Sequence, residues 1–309
     1  MSNGTARLRR KIESAGDLQS VVRTMKALAA SSIGQYEKSL RSLDDYYRTV
    51  ELGLGACFRG SGQSSLGDEP RGQAGAGGTR AVVFGSDQGL VGQFNDVVAD
   101  HAIEKLKALP GKHEIWAVGE RVHARLTDAG LPLVGSFSVP NSIQAVTPLV
   151  GHILVANETR HGEGRGAELY LFHNHPTSGA VYVPVGQRLL PLDETWRRNL
   201  AGLPWPTKSQ PEVLGEGTAT LRFLIREYLF VSVFRACVES LASENASRLG
   251  AMQRVEKNIE ELLEDLNGAF RRLRQSEIDE ELFDVISGFE ALDRGPSAAV
   301  GSKREQRCG

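Results

Sequence analysis

Apolar residues recur at helical spacing across the last third of the chain. From Gly217 to Asp293 there is no proline. Met252, Val255, Ile259, Leu262, Leu266, Ala269 and Leu273 step by threes and fours with Glu, Lys, Asp and Arg between them, which predicts a coiled-coil seam. The seam slips across Arg274 to Glu277 and resumes at Ile278, Leu282, Val285, Phe289 and Leu292, a stutter that alters winding without ending a helix. At a rise of about 1.5 Å per residue, one helix over this span is a rod of roughly 110 Å. Such a rod needs partners outside its own length.

The chain opens on a second stripe of the same kind: Leu8, Ile12, Ala15, Leu18, Val22, Met25, Ala29, Ile33, Tyr36, Leu40, Leu43, Tyr47, Val50 and Leu54. Gly16 and Gly34 weaken it, each by about 1 kcal/mol relative to Ala, but no proline breaks it. Two matching stripes at opposite ends of a sequence imply an antiparallel coiled coil with the intervening residues inserted between its arms. The alternative is a helical bundle within one domain. Met25 on the first helix and Met252, Ile259 and Leu266 on the second are the expected seam residues.

Between the stripes the periodicity changes. Arg59 to Thr79 is crowded with Gly, Ser and Gln and reads as a flexible linker. Short apolar runs then alternate with helical stretches: strand 81–84, helix 96–109, strand 114–118, helix 120–129, strand 131–139, helix 143–157, and strands 168–172 and 180–189. Alternation of this kind argues for a mostly parallel sheet covered on both faces, a Rossmann-like α/β domain. The expected organisation is a coiled-coil helix over 1–58, the linker over 59–79, the α/β domain over 80–211, the second coiled-coil helix over 212–293, and a disordered tail over 294–309.

Composition narrows the function classes. The 309 residues carry a formal net charge of −2, which argues against a nucleic-acid binder. No apolar run approaches the roughly 20 residues of a spanning helix, and Met1 to Arg10 is basic with no apolar segment behind it, so a cytosolic protein is expected. Cys57, Cys237 and Cys308 are widely spaced without a CxxC pair, which suits a reducing compartment and incidental or buried thiols.

Three segments invite chemistry. Residues 85–95 (GSDQGLVGQFN) lie between a strand and a helix, where a phosphate loop would sit, but Gly85, Gly89 and Gly92 match neither GxGxxG nor GxxxxGK[ST]. A tight hydrogen-bonded turn is the expected role, with Asp87 structural. His173 and His175 resemble the HxH segment of JAB-type zinc metalloproteases, yet Val183 and Gly186 stand where the remaining ligand pattern needs Ser and Asp, so a turn without metal is expected. Ser, His and Asp occur, but no GxSxG elbow presents a nucleophile. No catalytic, cofactor-binding or metal-ligating residue is therefore expected.

Specific segments carry a resemblance to a known family. RKIES at 10–14, VRTMKALAA at 22–30, SDQGLVGQFN at 86–95, LLPL at 189–192, LASENASRLGAM at 241–252 and the series Arg274, Gln275, Ile278, Glu281, Leu282, Ile286, Gly288, Ala291 and Leu292 resemble, in order, motifs of the γ subunit of F-type ATP synthases. Gln88, Val91, Ala27, Leu249 and Asp279 depart from the family pattern, which points to a divergent branch such as an alternate-operon copy.

The resemblance implies a non-catalytic central-stalk rotor coupling transmembrane ion flow to ATP synthesis or hydrolysis in an α3β3 ring. Its implied partners are the α and β subunits, the ε subunit and the c ring, with peripheral attachment at the cytoplasmic face of the cell membrane through the complex. Arg248, Arg274, Gln275 and Glu281 occupy the family's polar contacts to the ring, with Lys26, Arg271 and Arg272 facing acidic β segments. Ile278, Leu282, Val285, Ile286 and Phe289 form the apolar bearing. The competing reading is a stand-alone Rossmann-like nucleotide-binding enzyme with a coiled-coil dimerisation handle.

Overall fold

The computed structural model describes residues 3–60, 78–159, 168–177, 182–209, 211–212 and 217–293. Most of the linker expected over 59–79 and all of the tail expected over 294–309 lie outside these residues, as does Cys308. The elements run α1 (Asn3–Gly60), β1 (Thr79–Phe84), α2 (Phe94–Ala108), β2 (His113–Val118), α3 (Glu120–Asp128), β3 (Leu133–Phe137), α4 (Ile143–Thr159), β4 (Glu168–Pro176), β5 (Tyr182–Leu190), α5 (Glu194–Ala201) and α6 (Gly217–Asp293).

The chain divides into two compact units, the described residues of Met1–Arg23 with Arg254–Gly309, and Thr24–Gln253. The larger unit contains a five-stranded sheet in the order β3-β2-β1-β4-β5. β1 pairs in parallel with β2 and with β4, and β2 pairs in parallel with β3. β5 returns antiparallel to β4 at one edge.

β1 is central and apolar on both faces because both are covered. Ala81 and Val83 face α2 and α3 through Val98, Ala102, Val122 and Leu126. Val82 and Phe84 point the other way, into a larger core with Val146, Val150 and Ile153 of α4, Leu54 of α1 and Val233 of α6. The long helices are therefore built into the domain core rather than attached to it.

Boundaries differ from the sequence expectation in several places. α1 continues through Gly60, and Arg59, expected in the linker, donates from Nη1 to the carbonyl oxygens of Ala201 at 2.8 Å and Leu203 at 3.0 Å. Helix α5 is an addition; Asp193 caps it by accepting from the Trp196 amide at 2.9 Å. β4 extends to Pro176, so His173 and His175 lie on a strand, not in a turn.

Candidate functional site

In the larger unit α1 and α6 pack antiparallel. Tyr46 Oη donates to Glu227 at 2.7 Å while Asp44, two residues earlier, pairs with Arg235 at 3.1 Å, eight residues later. Ala29, Tyr36 and Met252 are buried, and Met25 is half-buried. The smaller unit keeps the same sense: Arg23 Nε pairs with Glu256 at 2.9 Å, and Gln19 donates to Glu260 at 3.4 Å. There Ala15 and Val22 are buried, and Ile259 and Leu266 are half-buried.

Before the stutter at Arg274, two residues read as seam from their spacing sit elsewhere. Leu18 is 57% exposed and Leu262 is 49% exposed. Gln19 and Leu263 are half-buried in their stead. A step of three or of four from Ile259 reaches Leu262 or Leu263, and both are leucine, so periodicity could not choose between them.

The expected ring-contact residues have varied surroundings. Arg248 is the most enclosed, its guanidinium 2.7 Å from Glu244 with side chains 13% and 7% exposed. Burial pushes the Glu244 carboxyl up, and Arg248 draws it back only in part. Lys26 is half-buried. Arg271, Arg272, Arg274 and Glu281 are exposed on α6, as is Gln275, which donates to Asp279 on the same helix at 3.1 Å. The bearing residues Ile278, Leu282, Val285, Ile286 and Phe289 are all exposed, Phe289 at 73%.

The glycine turn is closed on itself. Asn95 Oδ1 accepts from the Ser86 amide at 2.9 Å, and Asn95 Nδ2 donates to Ser86 Oγ at 2.8 Å. Asp87 accepts from the amides of Glu120 at 3.0 Å and Val139 at 2.9 Å, so it caps α3 from outside and pins the segment after β3. Gly119 has φ +111°, and a Cβ there would lie 2.8 Å from the Ser86 backbone, so only glycine fits. The Ser86 amide is thus engaged within the protein, and the Asp87 carboxylate brings negative charge to the place where a phosphate would sit.

Among the described residues, a cluster that combines imidazole and carboxylate lies between β4 and α6. His173 Nε2 donates to Glu239 Oε2 at 2.8 Å, and His175 Nδ1 donates to the same oxygen at 2.9 Å. Arg235 Nε donates to the other oxygen at 2.8 Å. Burial by itself would raise the Glu239 carboxyl, but these three donors outweigh it and hold the group down at about 2. Because Glu239 is ionised and acceptor-only, both ring nitrogens facing it carry protons.

Sequence reasoning passed over Glu239. Its need for partners shows only in the structure, where every residue from Ala236 to Asn245 is buried and a carboxylate enclosed there must be paired. The partners are more than sixty positions away, at separations of 66 and 64 residues, and only the fold joins them.

A family model described as ATP synthase matches residues 4–292. The chain is similar in fold to one in the Euglena gracilis mitochondrial ATP synthase OSCP/F1/c-ring in rotational state 3, with 19% identity, a TM-score of 0.66, and 99% of each chain covered. A chain of the rotor of the same organism's enzyme in rotational state 1 gives 17% identity and a TM-score of 0.60, covering 89% of this chain and 99% of that one. A chain of the Tetrahymena thermophila mitochondrial ATP synthase central stalk/c-ring gives 21% identity and a TM-score of 0.52, covering 76% and 99%.

Proposed function

Because the chain belongs to the γ-subunit family of F-type ATP synthases, we propose that it is the central-stalk rotor of such an enzyme and has no catalytic site of its own. It couples rotation driven by transmembrane ion flow to ATP synthesis or hydrolysis in an α3β3 ring. Its partners are the α and β subunits, the ε subunit and the c ring. Among the described residues no helix is long and apolar enough to cross a membrane. Attachment at the cytoplasmic face of the membrane is therefore through the complex.

The observation that carries the proposal is the exposed apolar end of α6. Ile278, Leu282, Phe283, Val285, Ile286 and Phe289 are each at least 45% exposed within sixteen helical positions of Asp293. So many large apolar side chains in one stretch require a cover. An apolar collar supplies non-directional contact that leaves rotation unhindered. A rod with unequal faces inside a threefold ring gives the three sites different affinities, and by linkage turnover at those sites biases rod orientation in return.

The exposed Arg271, Arg272, Arg274, Gln275 and Glu281 supply polar contacts to the ring, and Lys26 and Arg248 contribute from the larger unit. The enzyme reading finds no support in the glycine turn, whose glycines match no phosphate loop and whose Asp87 is committed to the amides of Glu120 and Val139. Co-expression with the cognate α and β subunits tests the proposal: a stable assembly with one copy of this chain per α3β3 is expected. A chain that remains apart and binds nucleotide unaided would overturn it.

A further inference from the structure

The rotor role uses none of the groups gathered around Glu239. His173 and His175 are two apart on β4 and so project from the same face of the sheet, towards α6. Their ring nitrogens and a Glu239 oxygen all lie within 4.8 Å of one another. We propose that His173 Nε2, His175 Nδ1 and Glu239 Oε2 form a three-ligand site for a divalent ion of the zinc class. The fourth position opens to solvent beside His175.

The donor set selects the ion. Two imidazoles and one carboxylate suit zinc and its transition-metal neighbours, whereas calcium and magnesium take oxygen ligands. A tetrahedral zinc with bonds of about 2.0 to 2.1 Å needs ligand atoms about 3.3 Å apart, so each histidine contact must open by about 0.5 Å. His175 has room to do so, since its side chain is 43% exposed against 4% for His173 and 6% for Glu239.

The surrounding contacts hold the site ready. Arg235 grips the second Glu239 oxygen and is itself held by Asp44, an outer shell that orients the carboxylate without occupying the ligand atom. Between the two histidines, Asn174 donates to the Phe94 carbonyl at 2.9 Å, and its own carbonyl accepts from Ser243 Oγ at 2.9 Å. The strand is thus fixed to α2 and to α6 at the level of the site.

Each ring nitrogen that takes the metal gives up the proton it donates to Glu239, and that proton moves to the ring's other nitrogen where that is bare and to solvent where it is not. On His173 the other nitrogen is Nδ1, which has no hydrogen-bond partner among the described residues, so no existing bond is displaced. On His175 it is Nε2.

The half-site in the sequence lacked the Ser and Asp of a metalloprotease because its third ligand comes from helix α6. The ion would join β4 to α6 by coordination, across a junction that is now hydrogen-bonded. Nothing in this depends on the rotor assignment, and either can fail alone.

The test uses the full chain, stripped with a chelator and dialysed against zinc, with bound metal measured by elemental analysis. Wild type and His152→Ala, which changes an exposed histidine on α4, should each retain one equivalent. His175→Ala and Glu239→Gln should bind zinc roughly tenfold or more weakly. Zinc should also raise the thermal midpoint of wild type and not that of His175→Ala. Cobalt should give visible absorption of a four-coordinate site only when His175 is present. Circular dichroism confirms that His175→Ala is folded, as its exposure leads one to expect. Wild type binding no more zinc than His175→Ala, or unchanged affinity in the variant, would overturn the proposal and leave a hydrogen-bonded clasp.

Discussion

Cys237 and Cys57 are both buried, and burial pushes both thiols up, with the Glu244 charge adding to the effect at Cys237. Since the thiolate is the reactive species, iodoacetamide at pH 8 should modify these two positions at least about tenfold more slowly in the native chain than in denaturant. Peptide mapping after timed labelling measures this, and rapid native labelling at Cys237 would contradict its placement in the core. Arg248 offers a second case. Its pair with Glu244 is nearly enclosed, so Arg248→Ala strands a buried carboxylate and should lower stability by about 3 kcal/mol in urea unfolding. A change below about 1 kcal/mol would show that Glu244 takes up a proton or finds water. Arg248 was singled out through its motif, which also holds Glu244 four residues earlier at pairing distance on a helix, but the motif could not reveal that the pair is enclosed, because that depends on which helix face is buried.

Among the elements, the strands and helices of the α/β domain were legible because their apolar runs and turn signals alternate. β1 was read from Ala81 to Phe84 and forms from Thr79 to Phe84. Helix α5 was not legible, for its eight residues carry only Trp196, Leu200 and Ala201 as apolar positions and lie between Pro191 and three further prolines, where local signals favour a loop. The seam was legible in kind but not in phase at every position. Wherever two apolar residues adjoin, as at Leu262 and Leu263 or Ala269 and Phe270, either can continue a stripe of threes and fours. Ile259 and Leu262 therefore make a direct comparison, one half-buried and one 49% exposed. Ile259→Asp should destabilise by about 2 kcal/mol or more, because its carboxylate loses water on packing. Leu262→Asp should stay within about 1 kcal/mol. Equal effects on the urea midpoint would return Leu262 to the seam.

For the whole molecule, family membership was legible from motifs dispersed along the chain, whereas the His173, His175 and Glu239 cluster was not, because it exists only once β4 lies on α6. The rotor assignment puts the functional weight on contacts that change as the shaft turns, and Gln275 is the cleanest place to test them. It is exposed, and the bond it makes to Asp279 stays within one helix, so Gln275→Ala should leave the isolated chain's stability within about 0.5 kcal/mol. Arg248→Ala would confound coupling with stability. In the reassembled α3β3 complex, a hydrogen bond from Gln275 to a charged ring group that forms in only some rotary positions contributes about 1.5 to 3 kcal/mol to those positions. Its loss should depress multisite ATP turnover by roughly tenfold, since each 1.4 kcal/mol in the limiting step is one decade in rate. Hydrolysis at a single filled site should change less than about twofold, because a lone turnover requires no ordered succession of shaft positions. A variant with equal loss in both assays would place Gln275 in the chemistry of the sites. One with no loss in either would make Gln275 a solvated residue on the shaft and shift the polar contact to Arg274 or Glu281.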